Sequence, residues 1–429
     1  MTSPLRIGVA GLGTVGAGVV KLLAEHGRLL ALRGGRPLKL VAVSARSKAR
    51  KRDIDVSHLR WERDPLALAT APDIDVVIEL IGGSRGVARQ LVRKALASGK
   101  HVVTANKALL AMHGAELAAL AEKKGRILAF EAAVAGGIPI IKALREGLVG
   151  NRVKRLYGIL NGTCNYILTT MREKGRDFDV VLAEAQAAGY AEADPSFDVD
   201  GVDAAHKLAV LTGAAFGCRV NFEGVHVEGI RRVTSMDIRF AEELGYRIKL
   251  LGLARETKHG IEQRVHPCMV SLKAPIAHIE GVFNAVVVEG DFVGTTMFQG
   301  RGAGQGPTAS AVVADLVDVA RGRDMPAFVI PANRLAAKKV SPMGRHVGAY
   351  YMRLMVQDRP GVIAAISGVL AKERISVESM LQRGRSQSEV PVVLTTHETE
   401  EAAMQRAAAR IGQLRAVAEA PCLIRMEAL

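Results

Sequence analysis

At 429 residues the chain is long enough for two or three domains, each with its own buried core. Its 49% hydrophobic and 24% charged residues belong to a soluble globular protein, and every apolar run is broken before it could span a bilayer. The net charge of +15 invites a nucleic-acid partner, but Lys and Arg are spread along the whole chain and only 4% of residues are aromatic, so neither nucleic acid nor a membrane is expected as a partner.

Met1 to Arg6 leads straight into a strand-like run, without a basic stretch and apolar signal core, so a cytoplasmic location is expected. Through residue 130, β-rich runs at Arg6–Ala10, Leu38–Val43, Val76–Leu80, His101–Thr104 and Ile127–Phe130 alternate with helical stretches. This βαβ series predicts an α/β Rossmann domain with a parallel, doubly wound sheet over 1–130. Residues 131–340 mix helical segments at Cys164–Lys174 and Val202–Phe216 with strand-like runs at Tyr246–Leu253, Ile261–Val270 and Ala285–Glu289. They predict an α+β domain. Lys338–Gly348 has no sustained apolar period and reads as a linker. Over 349–429 the order strand, helix, two strands, helix, strand predicts a ferredoxin-like βαββαβ unit. Cys164, Cys218, Cys268 and Cys422 lie far apart without a CxxC pair, which suggests neither a zinc site nor a disulfide framework.

The first strand runs into Gly11-Leu12-Gly13-Thr14-Val15-Gly16, with one helical segment, Val15–Leu30, behind it. Between a strand and a helix, GxGxxG points to a dinucleotide: Gly11 permits the turn, Gly13 the approach of a pyrophosphate, and Gly16 close helix packing. Thr14 and Val15 open the helix whose N-terminus attracts the phosphates. The second strand ends in Ser44-Ala45-Arg46-Ser47-Lys48, with no acid to bind a ribose hydroxyl. Arg46, supported by Lys48, could clamp a 2′-phosphate, which favours NADP and leaves NAD possible. A solvated basic loop is the competing reading.

Two further segments carry chemistry. Lys107 follows the strand His101–Thr104, and ligands in open α/β sheets sit beyond the carboxyl ends of strands. Gly189–Lys207 gathers five acids ahead of and within a helical segment, where Asp203 and Lys207, four apart, share one face. An Asp can orient the Lys, whose ammonium can give a proton to an oxygen gaining charge during hydride transfer. A solvent-facing lysine and an ordinary surface ion pair remain the competing readings.

Taken together, Gly11–Gly16, Thr104–Lys107, Glu131–Pro139, Asn161–Asn165, Gly189–Lys207 and Gly300–Ala311 resemble the homoserine dehydrogenases, in the monofunctional bacterial form with a C-terminal ACT domain. The resemblance implies reversible, NAD(P)H-dependent reduction of L-aspartate 4-semialdehyde to L-homoserine, in threonine, methionine and isoleucine biosynthesis. It implies Lys207 as proton donor with Asp203 and Lys107 as the other catalytic groups, and Glu192, Asp198, Asp203 and Tyr190 as substrate-binding residues. It gives 131–340 its role in catalysis and dimerisation, with a helix near 305–322 packing back on the first domain. It brings Lys107, Gly189 and Gly304 to the cofactor beside the glycine loop. It also implies a structural monovalent-cation site, for Na+, at Glu131, Val134, Gly136 and Ile138. Asp358-Arg359-Pro360-Gly361 looks like the ACT signature, so L-threonine is the expected regulator and a homodimer or homotetramer the expected assembly. Two rivals stand beside it: a dehydrogenase of another semialdehyde, whose dephosphorylating form would need Cys164 as nucleophile, and a non-catalytic sensor, which would need no proton donor.

Overall fold

Apolar β-branched runs punctuated by glycine loops build the first unit of the computed structural model, which describes residues 3–383 and 389–429. Its elements are β1 (Leu5–Ala10), α1 (Thr14–Glu25), α2 (Gly27–Gly34), β2 (Leu38–Ser44), β3 (Arg60–Glu62), β4 (Val76–Glu79), α3 (Val87–Ala97), β5 (His101–Thr104), α4 (Lys107–Lys123) and β6 (Leu128–Ala129). The six strands are parallel in the order β3-β2-β1-β4-β5-β6. Strand order reverses between β1 and β4, which opens a crevice at their carboxyl ends. The expected helix Val15–Leu30 is in fact two, broken at His26.

The middle of the chain forms α5 (Ile140–Lys142), β7 (Val153–Ile159), α6 (Gly162–Lys174), α7 (Phe178–Ala187), α8 (Ser196–Val199), α9 (Val202–Phe216), β8 (His226–Val227), α10 (Ser235–Glu243), β9 (Tyr246–Thr257), β10 (Gly260–Ser271), β11 (Phe283–Gly290), β12 (Gly294–Arg301) and α11 (Gln305–Ala320). Helix α11 returns to the first unit: a Cβ on Gly18 would lie 2.7 Å from Gln305 Cγ and 3.1 Å from Ala309 Cβ, so only glycine admits this crossing. Val312 and Leu316 of α11 share a core with Val9, Val19 and Ile78.

The C-terminal unit is β13 (Val347–Gln357), α12 (Val362–Lys372), β14 (Val377–Gln382), β15 (Glu389–Thr396), β16 (Thr399–Glu400), α13 (Glu401–Ile411) and β17 (Cys422–Glu427). Its sheet does not stand apart. β17 pairs in parallel with β10 through Cys268–Arg425, Met269–Met426 and Val270–Glu427. One sheet therefore runs β12-β11-β7-β9-β10-β17-β13-β15-β14, with β8 and β16 as side pairings. The segment that composition reads as a linker is tied down as well: Ile261 N donates to Lys339 O and Ser341 N to Ile261 O, each at 2.8 Å. Charged side chains are buried along this seam. Arg264 pairs with Glu262 (2.6 Å) and Glu427, and Arg353 with Asp237 (2.7 Å). Such pairs add little net stability, yet removing one partner strands the other, so they fix how the strands meet.

Candidate active site

The glycine loop sits at the switch point for steric reasons. Gly11 has a φ of 103° and a Cβ there would be 2.4 Å from Leu80 O, while a Cβ on Gly16 would be 2.0 Å from Gly11 O. Gly13, the residue capping α1, has open space where a Cβ would stand. The first turn of α1 holds no acid, so its free N–H groups and dipole favour an anion. Beside the loop lies a cleft of about 460 Å³, walled by Gly11, Gly13, Arg46, Arg50, Arg52 and Arg63 among others. Arg52 is spoken for: it donates to the carbonyls of Leu12, Arg50 and Ser47 and lies over Trp61. Arg46 is in the cleft wall as expected from sequence. Arg50 and Arg63 were missed, and Lys48 is not part of the wall.

At the carboxyl ends of β4 and β5, Glu79 is buried and accepts from Ile81 N, Gly82 N and the Thr104 hydroxyl. Asn106 caps α4 by accepting from Leu109 N, and its amide donates to Gly83 O. The cap sets Lys107 at the first helical position, where its Nζ reaches Asp203 Oδ1 at 2.8 Å. Asp203 is at the start of α9, and its Oδ2 accepts from Lys207 Nζ at 2.7 Å. Lys207 also donates to Leu160 O at 2.7 Å. One carboxylate thus bridges two ammonium groups across the two units, and both members of the Asp203–Lys207 pair are buried.

Burial alone would raise the Asp203 carboxyl; Lys207 and then Lys107 outweigh it and hold Asp203 well below its ordinary value. Burial lowers Lys207, with Asp203 opposing and Lys107 adding to the shift. A lysine made more acidic and held by two acceptors is a poised proton donor. Among the described residues, its third N–H has no partner.

Asn161 was absent from the expected site. Its amide donates to Asp198 Oδ1 (2.7 Å) and Asp203 Oδ2 (2.8 Å), while its carbonyl caps α6 by accepting from Cys164 N. An Asn before an apolar-periodic segment is an N-cap signal that could have found it. Among the described residues, the Asp198 side chain is hydrogen-bonded to the cluster only through Asn161. Tyr190 is half exposed and rests on Tyr166, with ring centroids 4.7 Å apart. Glu192 is exposed on the same loop, and no hydrogen bond or ion pair joins its carboxylate to the cluster among the described residues. Gly189, with a φ of 75°, turns the chain out of α7. Cys164 is fully buried, and burial and then Asp198 push its thiol well up, so it is no nucleophile.

Gly304, with a φ of 119°, caps α11, and its loop backs onto the Glu131–Pro139 turn: Gly137 N donates to Arg301 O at 2.9 Å. Within that turn Ala135 (φ 54°) and Gly136 (φ 40°) are both left-handed. The buried Glu131 carboxylate accepts from Ile141 N and Lys142 N, and its own N–H donates to Asp315. Burial and then Asp315 raise it to about 7. The Ile138 carbonyl accepts from Ile140 N. Elsewhere, His266, Cys268 and Glu427 bring metal-type ligand atoms together, but Arg264 bonds to both His266 and Glu427 and supplies the positive charge there.

A nucleotide loop at a sheet's switch point, with a buried ammonium able to give a proton beyond a neighbouring strand, is what hydride transfer to a carbonyl requires, and it is the arrangement of the nucleotide-dependent dehydrogenases. The family model for the homoserine dehydrogenase NAD-binding domain matches residues 11–131, that for homoserine dehydrogenase 139–317, and that for the ACT domain 350–416. The chain belongs to the homoserine dehydrogenase family and is an oxidoreductase. It is 47% identical over 433 residues to a homoserine dehydrogenase of Neisseria gonorrhoeae, covering 99% of both chains. The crystal structure of a homoserine dehydrogenase from Thiobacillus denitrificans superposes with a TM-score of 0.94 at 48% identity, covering 99% of this chain and 98% of the other. A hyperthermophilic archaeal homoserine dehydrogenase in complex with NADPH gives 0.65 at 28% identity, covering 76% and 99%.

Proposed function

We propose that the chain reduces L-aspartate 4-semialdehyde to L-homoserine reversibly, with NADPH preferred over NADH, in threonine, methionine and isoleucine biosynthesis. The carrying observation is the Lys107–Asp203–Lys207 bridge at the carboxyl edge of the parallel sheet. The bound nucleotide supplies the hydride. Lys207 gives its proton to the aldehyde oxygen as that oxygen gains charge, and Lys107 stabilises the same charge. Asp203 keeps both ammonium groups in place, and in the oxidation direction Lys207 takes the proton back. Glu192 pairs with the substrate ammonium, and Asp198 and Tyr190 complete that pocket. Gly11, Gly13, Thr14, Val15, Gly16, Gly189 and Gly304 bring backbone to the nucleotide. Arg46, with Arg50 and Arg63 beside it, favours a 2′-phosphate, as does the NADPH named for the archaeal relative.

The cation at Glu131, Val134, Gly136 and Ile138 belongs to the same proposal. The Lys142 ammonium pairs with Asp315 and Asp318 and, among the described residues, leaves the buried Glu131 carboxylate only backbone N–H donors, so a hard monovalent ion such as Na+ suits that group. Gly361, with a φ of 88°, opens α12 and leaves room for a threonine carboxylate at that helix start. The working division is 1–130 for the nucleotide, 131–340 for catalysis and dimerisation and 349–429 for regulation, in a cytoplasmic homo-oligomer. Among the described residues no helix is long and apolar enough to cross a membrane.

The test is NADPH oxidation with aspartate semialdehyde, repeated with NADH and with threonine added. Lys207→Ala should lower kcat at least about a hundredfold while NADPH still binds. Turnover that survives the change removes Lys207 as donor, and no turnover of the parent with either nucleotide removes the whole proposal.

A further inference from the structure

We propose that Glu228, clamped by Arg425 of the C-terminal strand, is a positioning residue for the carboxylates at the active site. The proposal rests on reading Asp203 and Lys207 as catalytic groups. Arg425 is buried on β17, between two acids. Its Nε and Nη2 donate to Glu401 at 2.7 and 2.6 Å, and its Nη1 and Nη2 donate to the two oxygens of Glu228, each at 2.9 Å. Such a fork fixes an orientation as well as a distance, which a single-point ammonium would not. Glu228 also contacts His226 Nε2 at 2.8 Å, and its backbone N–H donates to Val265 O at 2.7 Å.

The chain just beyond Glu228 lies flush on the catalytic turn. A Cβ on Gly229 would stand 2.3 Å from Val199 O and 2.5 Å from Asp200 Cα, so the two backbones touch only because this residue is glycine. Ile230 N donates to Val199 O at 2.8 Å, and Arg231 bonds to Asp200 and Ser196. From the other side, a Cβ on Gly201 would be 3.1 Å from Val227 Cγ1 and 3.4 Å from Glu228 O. The backbone of 227–230 therefore buttresses Val199–Gly201, the turn between α8 and α9. Asp198 is just before that turn and Asp203 just after it, and Asn161 joins their side chains. A shift of the buttress moves Asp203 against Lys107 and Lys207, whose contacts with it are 2.8 and 2.7 Å. Misplacement of reacting groups by about 1 Å can cost a hundredfold in rate, even when the change is remote.

The experiment uses full-length Glu228→Gln and Arg425→Lys, with Lys207→Ala beside them. Glu228→Gln leaves Arg425 its pair with Glu401, and Arg425→Lys keeps the buried charge but loses the fork. For both, kcat should fall about ten- to a hundredfold while KM for NADPH stays within about twofold and the melting temperature holds. Unchanged kcat in Glu228→Gln overturns the proposal. So does a loss of kcat in both variants that tracks a loss of nucleotide affinity and melting temperature, since that pattern is damage to the fold. A fully active Glu228→Gln beside an inactive Lys207→Ala overturns the positioning role alone, whereas an active Lys207→Ala overturns the catalytic reading and this proposal with it.

Discussion

Lys107 is held from two sides. Asp203 takes its ammonium at 2.8 Å, and the ring centroid of Phe197 lies 5.6 Å from its Nζ. Phe197 rests in turn on His206, which stacks on Phe222 at 4.2 Å with an interplanar angle of 8°. An exposed cation–π contact contributes about 0.5–1 kcal/mol, so Phe197→Leu should lower kcat about two- to fivefold, with Phe197→Tyr close to the parent. A Leu variant indistinguishable from the parent in steady-state kinetics would deny the ring this role. Glu131 gives a pH dependence of definite sign. Its carboxyl titrates near 7 when folded against an ordinary 4.5, so between these values the folded chain keeps a proton that the unfolded chain has released. Stability from this group therefore falls as pH rises through that window, by about 3 kcal/mol in all. A bound cation would oppose the shift, so melting temperature should decline with pH more steeply in choline chloride than in sodium chloride. Equal slopes would count against the ion. Lys107, Asp203 and Lys207 were candidates by position, with a solvent-facing lysine and a surface ion pair as open alternatives, and only the family resemblance singled them out. Asn161 carries a legible N-cap signal but not its tie to Asp198 and Asp203, and Phe197 acquires its role only from what the fold sets beside it.

At the scale of elements, Asn161 does two things at once. Its carbonyl oxygen starts α6 and its amide ties Asp198 to Asp203. Asn161→Ser should keep most of the cap and lose the amide donors; Asn161→Ala should lose both. The expected pattern is a kcat about tenfold or more below the parent in both variants, with about 1 kcal/mol of stability lost only in Ala. Equal melting losses, or a Ser variant with parental kcat, would contradict the dual role. The strand–helix alternation of the first unit was legible because each strand is a compact apolar run and each glycine loop has a steric duty. β3 and β12 were not. β3 has only three residues, and β12, Gly294–Arg301, is an exposed edge whose Gly-Thr-Thr start carries no apolar alternation. The break between α1 and α2 at His26 carries no proline, and the expected single helix runs through its one stop signal, Gly27.

The whole molecule departs most from what its sequence suggests at Lys338–Gly348. Local composition there reads as a linker, and periodicity cannot reveal that β17 pairs with a strand some 150 residues earlier. The C-terminal unit is thus a continuation of the middle sheet, with buried charges on both sides of the join. A chain cut before Tyr350 would bare the edge of β10 and leave Glu228 and Arg264 without their C-terminal partners, Arg425 and Glu427. It should aggregate or melt well below the parent; a soluble cut chain with parental kcat and melting temperature would refute this dependence. Regulation is accordingly better probed by point changes at Gly361 than by removing the unit.

The same join has a bearing on biosynthesis. Ribosomes add about 5–20 residues per second, so the stretch between β10 and β17 takes about eight to thirty seconds to emerge. The nucleotide-binding unit is completed by α11 and by the stretch just after it, where Phe328 packs on Phe130 and Ala332 N donates to Glu122, so it can close before β17 emerges. Throughout that interval β10 waits with an open edge, which is where a chaperone would be of most use and where a stalled or frameshifted nascent chain would be most prone to clump.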